Sequence, residues 1–223
     1  MTRVVAIIAA RDEAKRVGAT VAAVRRLPEV SEVVVVDDAS RDATAALAAT
    51  AGARVLVAPR HLGKGGVVEG ALRRLGPADV WLLLDADLGS TANEAAGLLA
   101  PVLAGEADVA IGSLPRQEGH GGFRLVKRLS ARVIRRLSGF VAAEPMSGQR
   151  CLTGAAMEAV RPLAPGFALE TAMTVDAVRS GLRVVEVPVG MSHAATGRDL
   201  RGILHRARQG IAVVRAGVSR IRR

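Results

Sequence analysis

Val80-Trp81-Leu82-Leu83-Leu84-Asp85-Ala86-Asp87-Leu88-Gly89 is the stretch from which the rest of the chain can be read. Five apolar residues in a row, Val80 to Leu84, read as a strand buried on both faces, as in a parallel sheet covered by helices. The run stops on two carboxylates spaced i, i+2, which in a strand share a face. In an open α/β sheet, ligands bind beyond the carboxyl ends of the strands. Asp85 and Asp87 therefore stand where a ligand would sit, as hard oxygen donors suited to Mg²⁺ or Mn²⁺ completed by substrate phosphates. The plainer reading is that the two acids cap a helix beginning near Thr91.

Working outward, strand and helix signals alternate. Arg3 to Ala9 is a β-branched apolar run ending in the loop Ala10-Arg11-Asp12-Glu13. Residues 14–27 have helical periodicity and end before Pro28. Glu32 to Val36 is a second strand, closing on Asp37 and Asp38, and residues 43–51 form a helix stopped by Gly52. Arg54 to Val57 is a third strand. Gly63-Lys64-Gly65-Gly66 then opens a helix running to Leu75. After the Asp-x-Asp strand come a helix at about 92–104 and a strand at about 108–112. This alternation predicts an α/β fold with a mostly parallel sheet and right-handed crossovers. Residues 114–122 read as a mobile loop and 123–138 as a basic helix. Short strand and helix signals follow through 144–161, then a helix from Ala168 to Ser180, a strand from Leu182 to Val187, a loop over 191–197 and a terminal helix at 199–221.

Length and composition narrow the function classes. The chain has 223 residues, half of them apolar, which suits one domain, 1–223, with a large core. Aromatic residues make up only 2%, which disfavours binding built on base stacking. The single cysteine, Cys151, excludes an internal disulfide and fits a reducing compartment. The first apolar run reads as a strand rather than a leader, and no run reaches spanning length. The net charge is +10, and it is unevenly placed. Residues 123–140 carry six Lys/Arg and no acid, and residues 198–223 carry eight Arg and one Asp. Both helices, at about 123–138 and 199–221, are amphipathic, which points to an anionic partner surface.

Three strand ends carry acids: Asp12 and Glu13, Asp37 and Asp38, Asp85 and Asp87. Neighbouring parallel strands would bring them to one rim, where they repel unless cations are present. Lys64 and a metal ion are the natural cations. Gly63-Lys64-Gly65-Gly66 sits before a helix, where free N–H groups and a lysine can hold phosphate. Acids for a ribose and a metal, with a cation for phosphate, suggest a nucleotide-diphosphate ligand.

Val36-Asp37-Asp38-Ala39-Ser40-Arg41-Asp42-Ala43-Thr44, Gly63-Lys64-Gly65, Asp85-Ala86-Asp87 and Ser147-Gly148-Gln149-Arg150 occur in the order seen in family 2 glycosyltransferases, which the chain resembles over about residues 3–190. The likeness is greatest to the dolichyl- or polyprenyl-phosphate sugar transferases. It implies the GT-A nucleotide-diphospho-sugar transferase fold, a UDP- or GDP-sugar donor, Mg²⁺ or Mn²⁺, and transfer to an acceptor such as a polyprenyl phosphate. By position, Glu13 and Asp37 or Asp38 would hold the nucleoside, and Lys64 the nucleotide's phosphates. Asp85 would lie by the ribose or phosphates, and Asp87, with Asp85, would bind the metal. Ser147 and Arg150 would face the acceptor, and Asp87 and Glu170 would serve the chemistry. Gly166 to Gly181 and Val185-Glu186-Val187-Pro188 further resemble soluble retaining enzymes that glycosylate phosphoglycerate, in which a histidine placed like His193 joins the metal. Two departures stand out: the first loop is Ala9-Ala10-Arg11-Asp12-Glu13, where the family often has Pro-x-x-Asn-Glu, and Gly89 stands where relatives often have glutamine.

The leading expectation is therefore a metal-dependent glycosyltransferase acting on a polyprenyl phosphate, cytoplasmic and peripheral at the inner face of the cell membrane. The alternatives are a soluble transferase with a small phosphorylated acceptor such as phosphoglycerate, and a basic nucleic-acid-binding module. The last explains the charge but not the acids on three strand ends.

Overall fold

The computed structural model describes the backbone of residues 1–114 and 121–192 and, of these, the side chains of all but 121–124 and 167. His193, the helix expected at 199–221 and most of the loop expected over 114–122 lie outside the described residues. Strands β1 (Val4–Ala10), β2 (Glu32–Asp37), β3 (Arg54–Val57), β4 (Val80–Asp85), β5 (Val109–Ser113), β6 (Arg150–Thr153) and β7 (Val184–Pro188) form one sheet. Their order is β3-β2-β1-β4-β6-β5-β7. The helices are α1 (Val17–Val24), α2 (Thr44–Thr50), α3 (Lys64–Leu75), α4 (Ala96–Leu103), α5 (Gly121–Ser138), α6 (Gly154–Ala159) and α7 (Leu169–Arg179).

Alternation along the apolar strands sends side chains into two cores, one on each face. Val4, Ala6, Ile8, Leu82 and Leu84 pack with α1 and α4 on one face. Val5, Ile7, Trp81 and Leu83 pack with α3, α6 and α7 on the other. Helix α5 lies outside α7, joined through Ile134, Leu137, Phe140 and Val175.

The predicted order of elements holds, with three differences. Strand β6 is antiparallel to both its neighbours, β4 and β5. The chain leaves β5 at the rim where the parallel strands end, and α5 with residues 139–149 returns it to that rim, so β6 must run back down. The helix expected at 92–104 begins as a 3₁₀ segment, Gly89–Ala95, before α4. The α5 apolar stripe, expected to meet an anionic surface, is partly turned inward. Val126 is buried and Leu129, Val133, Leu137 and Phe140 are half-buried, with Ser130 and Ile134 buried beside them, and Lys127 pairs with Glu144 at 2.6 Å. Among the described residues, no helix is long and apolar enough to cross a membrane.

Candidate functional site

Parallel pairing of β2, β1 and β4 sets Ala10 beside Asp37 and Ala9 beside Asp85. The acids expected at three strand ends thus share one rim. The loop after β1 and the loop after β2 are stitched together by the polar residues of the Asp37–Thr44 segment. Asp12 N–H donates to Ser40 Oγ (3.0 Å), Glu13 N–H to Thr44 Oγ1 (2.8 Å) and Ala14 N–H to Asp42 Oδ2 (3.1 Å). Arg41 N–H returns a bond to Asp12 Oδ1 at 2.7 Å. Short side chains that bond nearby backbone suit such turns.

Asp37 and Asp38 do less toward an open groove than expected. Asp37, 2% exposed, accepts from the Ser40 hydroxyl and N–H. Asp38, 5% exposed, meets His61 Nδ1 at 2.6 Å and accepts from the N–H groups of Leu62 (2.7 Å) and Gly63 (2.9 Å). Its observed contacts hold the loop that presents Lys64. That loop needs Gly63, whose φ of +75° is the left-handed region.

Lys64, the first residue of α3, is gripped by two carboxylates. Its Nζ lies 2.5 Å from Asp85 Oδ1 and 3.1 Å from Glu170 Oε1. Burial works against the ammonium, but Asp85 and Glu170 outweigh it, so its pKa sits above the usual lysine value. Gln149 completes the grip on Asp85: its Nε2 donates to Asp85 Oδ2 (2.6 Å) and its Oε1 accepts from Asp85 N–H (3.0 Å). Gly148 packs so closely that a Cβ there would lie 2.3 Å from Lys64 Nζ and 2.6 Å from Asp85 Oδ2.

The strand ends at Asp85, so the alternation that would align Asp87 with it stops there. The following turn is held by α1 instead. Thr20 Oγ1 donates to Ala86 O and accepts from Gly89 N–H, both at 2.8 Å, and Arg16 Nη1 donates to Asp87 O at 3.2 Å. Burial first, then the charge of Asp87, push the Glu13 carboxyl above its usual range. Such an accumulation of negative charge is what a divalent cation would relieve. No group of three or more His, Cys, Asp or Glu that could hold a metal occurs among the described residues. Of the expected ligands, Asp85 has both oxygens bonded, to Lys64 and Gln149, Asp87 is near enough to Glu13 for its charge to be felt there, and His193 lies outside the described residues.

Ser147 and Arg150, expected to face the acceptor, are both buried, 6% and 1% exposed. Arg150 stands in register with Leu83 and Ile111 and faces α7, donating from Nη1 to Thr174 Oγ1 at 3.0 Å. Its Nε donates to Ser147 O at 2.9 Å. The antiparallel course of β6 aims the guanidinium into the core.

The sequence reading missed Gln149, although it quoted the segment containing it, because nothing local shows that β6 abuts β4. Thr20 did leave a signal, a polar residue on the apolar stripe of Val17, Val21 and Val24.

The chain matches known proteins over this same arrangement. The family described as Glycosyl transferase family 2 matches residues 5–149. Glycosyltransferase AglJ of Haloferax volcanii is 30% identical over 173 residues, covering 76% of this chain and 56% of that protein. The chain thus spans a little over half the length of that curated relative. Among solved structures, glucosyl-3-phosphoglycerate synthase from Mycobacterium tuberculosis with Mg²⁺ and UDP is similar at a TM-score of 0.83 and 24% identity, over 98% of this chain and 79% of that one. The same enzyme with Mn²⁺, UDP-glucose and phosphoglyceric acid gives 0.81 and 23%, over 98% and 79%. A mycobacterial protein without further description gives 0.82 and 27%, over 98% and 74%.

Proposed function

The chain belongs to glycosyl transferase family 2 and has the GT-A fold, and from that premise we propose that it transfers a sugar from a UDP-sugar to a small phosphorylated acceptor, assisted by Mg²⁺ or Mn²⁺. The observation that carries this reading is Lys64, held between Asp85 and Glu170 at the start of α3, on the rim it shares with Glu13 and Asp87. Lys64 and the free N–H groups at that helix start bind the donor's diphosphate. Asp87 holds the metal, with Asp85 beside it, and Glu13 lies toward the nucleoside. When bound, the ion neutralises charge developing on the leaving diphosphate. Glu170, 3.1 Å from Lys64 Nζ, would receive the proton of an attacking hydroxyl. The small acceptor is suggested by the similar synthase, whose structures contain phosphoglyceric acid.

A second acceptor reading, a polyprenyl phosphate at the inner face of the cell membrane, is favoured by the outer side of α5. Arg128, Arg132, Arg135 and Arg136 are exposed there. Leu125 is 68% and Val141 76% exposed beside them. Each arginine at an anionic lipid surface contributes about 1 kcal/mol.

A thermal-shift screen of UDP, GDP, UDP-glucose and GDP-mannose with and without Mn²⁺ tests the donor. A bound nucleotide at about 100 times its Kd adds about 2.7 kcal/mol of stability. Stabilisation by UDP that needs Mn²⁺ is expected; none by any nucleotide would overturn the proposal. Transfer to 3-phosphoglycerate against transfer to a polyprenyl phosphate in anionic vesicles then separates the acceptors.

A further inference from the structure

We propose that Arg150 is a positioning residue that braces, from inside the protein, the two carboxylates that share Lys64. The inference rests on the reading of Lys64 as the group that meets the donor's phosphates.

Arg150 heads the side chains that are fully buried by volume. A buried guanidinium ordinarily has a carboxylate against it, because an unpaired buried charge is strongly destabilising. Arg150 forms no ion pair among the described residues, and its Nη2 has no hydrogen-bond partner. Burial pushes its pKa down to about 10, against the opposing pull of the Glu170 and Glu186 carboxylates. A position needing only volume would be served better by methionine or leucine. What the guanidinium does is join two segments.

One arm reaches the turn that shapes the Asp85 side of the site. Nε donates to Ser147 O at 2.9 Å. The next residue, Gly148, packs on Lys64 and Asp85, and the one after, Gln149, bonds Asp85 twice. The other arm reaches the Glu170 side. Nη1 donates to Thr174 Oγ1 at 3.0 Å, and Thr174 Oγ1 donates to Glu170 O at 3.0 Å, fixing the first turn of α7. Glu170 from that turn meets Lys64 at 3.1 Å. The planar guanidinium offers its donors in a rigid fork. The fork therefore sets the separation of turn and helix, and with it the separation of Asp85 and Glu170 across the ammonium. Lysine at 150 would keep the charge but lose the fork.

The test uses the full chain with Arg150→Met, Arg150→Lys and Thr174→Val. The chain has only three lysines, Lys15, Lys64 and Lys127, so acetylation by acetic anhydride, followed by peptide mass spectrometry, reads each amine separately. In the unaltered protein Lys64 should react more slowly than exposed Lys15. Arg150→Met removes a buried charge with no carboxylate paired to it among the described residues, and the desolvation cost thereby relieved offsets the two hydrogen bonds given up. It should keep its melting temperature, while Lys64 acetylation rises about tenfold, Lys15 and Lys127 stay unchanged, and UDP with Mn²⁺ binds about tenfold more weakly, as loss of a charge-assisted bond implies. Thr174→Val should raise Lys64 reactivity in the same way. Arg150→Lys, which keeps the charge but loses the fork, should leave Lys64 reactive and UDP binding weakened as in Arg150→Met. Unchanged Lys64 acetylation in a stable Arg150→Met protein overturns the proposal, as does a rise at all three lysines that tracks a fall in melting temperature. Acetylation needs no donor, so failure of UDP to bind the unaltered protein would sink the donor reading and leave the brace to be judged on Lys64 reactivity.

Discussion

Replacing Gly148 by alanine adds one methyl group at the most crowded point of the site. The new Cβ would lie 2.3 Å from Lys64 Nζ, and 2.6 and 2.9 Å from the two Asp85 oxygens. The backbone at 148 is not in the left-handed region, so alanine itself is unstrained and the whole effect is steric. Asp85 is held by Gln149 and by its place in β4, so Lys64, with its long flexible stem, is the group that yields. Its 2.5 Å contact with Asp85 then breaks. A charged hydrogen bond of this kind contributes about 1.5–3 kcal/mol. Overpacking costs about 1–3 kcal/mol, and alanine returns about 0.4–1 kcal/mol by restricting the unfolded chain. The net loss of stability is about 1.5–5.5 kcal/mol, or a fall of roughly 3–22 °C in melting temperature for a chain of this size. If the displaced ammonium is the one that meets the donor's diphosphate, UDP affinity falls by about 10- to 100-fold. Calorimetric titration of UDP with Mn²⁺, alongside a thermal melt, gives both numbers. A Gly148→Ala protein with unaltered UDP affinity would refute the placing of phosphate at Lys64.

Other substitutions probe the same frame. Lys64→Ala should weaken UDP far more than uridine, by about tenfold or more; equal losses by titration would place Lys64 away from the phosphates. Asp87→Ala should keep the fold and abolish the Mn²⁺ dependence of UDP binding, which a thermal shift with and without metal reads directly. Gly65→Ala would set a Cβ 2.0 Å from the Ala164 carbonyl oxygen, while at Gly70 there is nothing within 4 Å. The first should lower stability by about 1–3 kcal/mol and the second raise it by up to about 1 kcal/mol in denaturant melts. For Glu69, burial pushes the carboxyl up, but the bonds from Arg161 and from Leu163 N–H outweigh it, and its pKa lies below the usual 4.5. A folded pKa below the unfolded one means stability present above that usual value and lost as pH falls beneath it. Glu69→Gln should therefore cost about 2–3 kcal/mol at pH 7, and the two proteins' melting temperatures should converge as the pH drops well below 4.5.

How much could be read from residue order alone is clearest along β4. Five apolar residues ending in Asp85 specify a buried strand whatever surrounds them, because both faces must be covered and the chain must turn where the carboxylates begin. The same local logic placed β1, β2 and the Lys64 helix start, and so put three pairs of acids on one rim. The family likeness followed from those short segments, since each is a turn whose chemistry is local. Three matters depended on the tertiary structure. Strand β6 runs antiparallel between β4 and β5, and its direction comes from where α5 returns the chain, not from its four residues. That direction seats Gln149 on Asp85 and buries Arg150, which the family resemblance had placed toward the acceptor. Helix α5 has an amphipathic pattern that fits either a core or a membrane, because periodicity shows that one side is apolar but not what covers it; in the structure Ile134 and Leu137 pack on Val175 of α7. The pairing of Lys64 with Glu170, residues far apart in the chain, exists only because α3 and α7 share one face of the sheet. Local sequence sets strand ends and turns through short-range sterics and hydrogen bonds, whereas side chains meeting across elements are decided by packing that no window of residues contains.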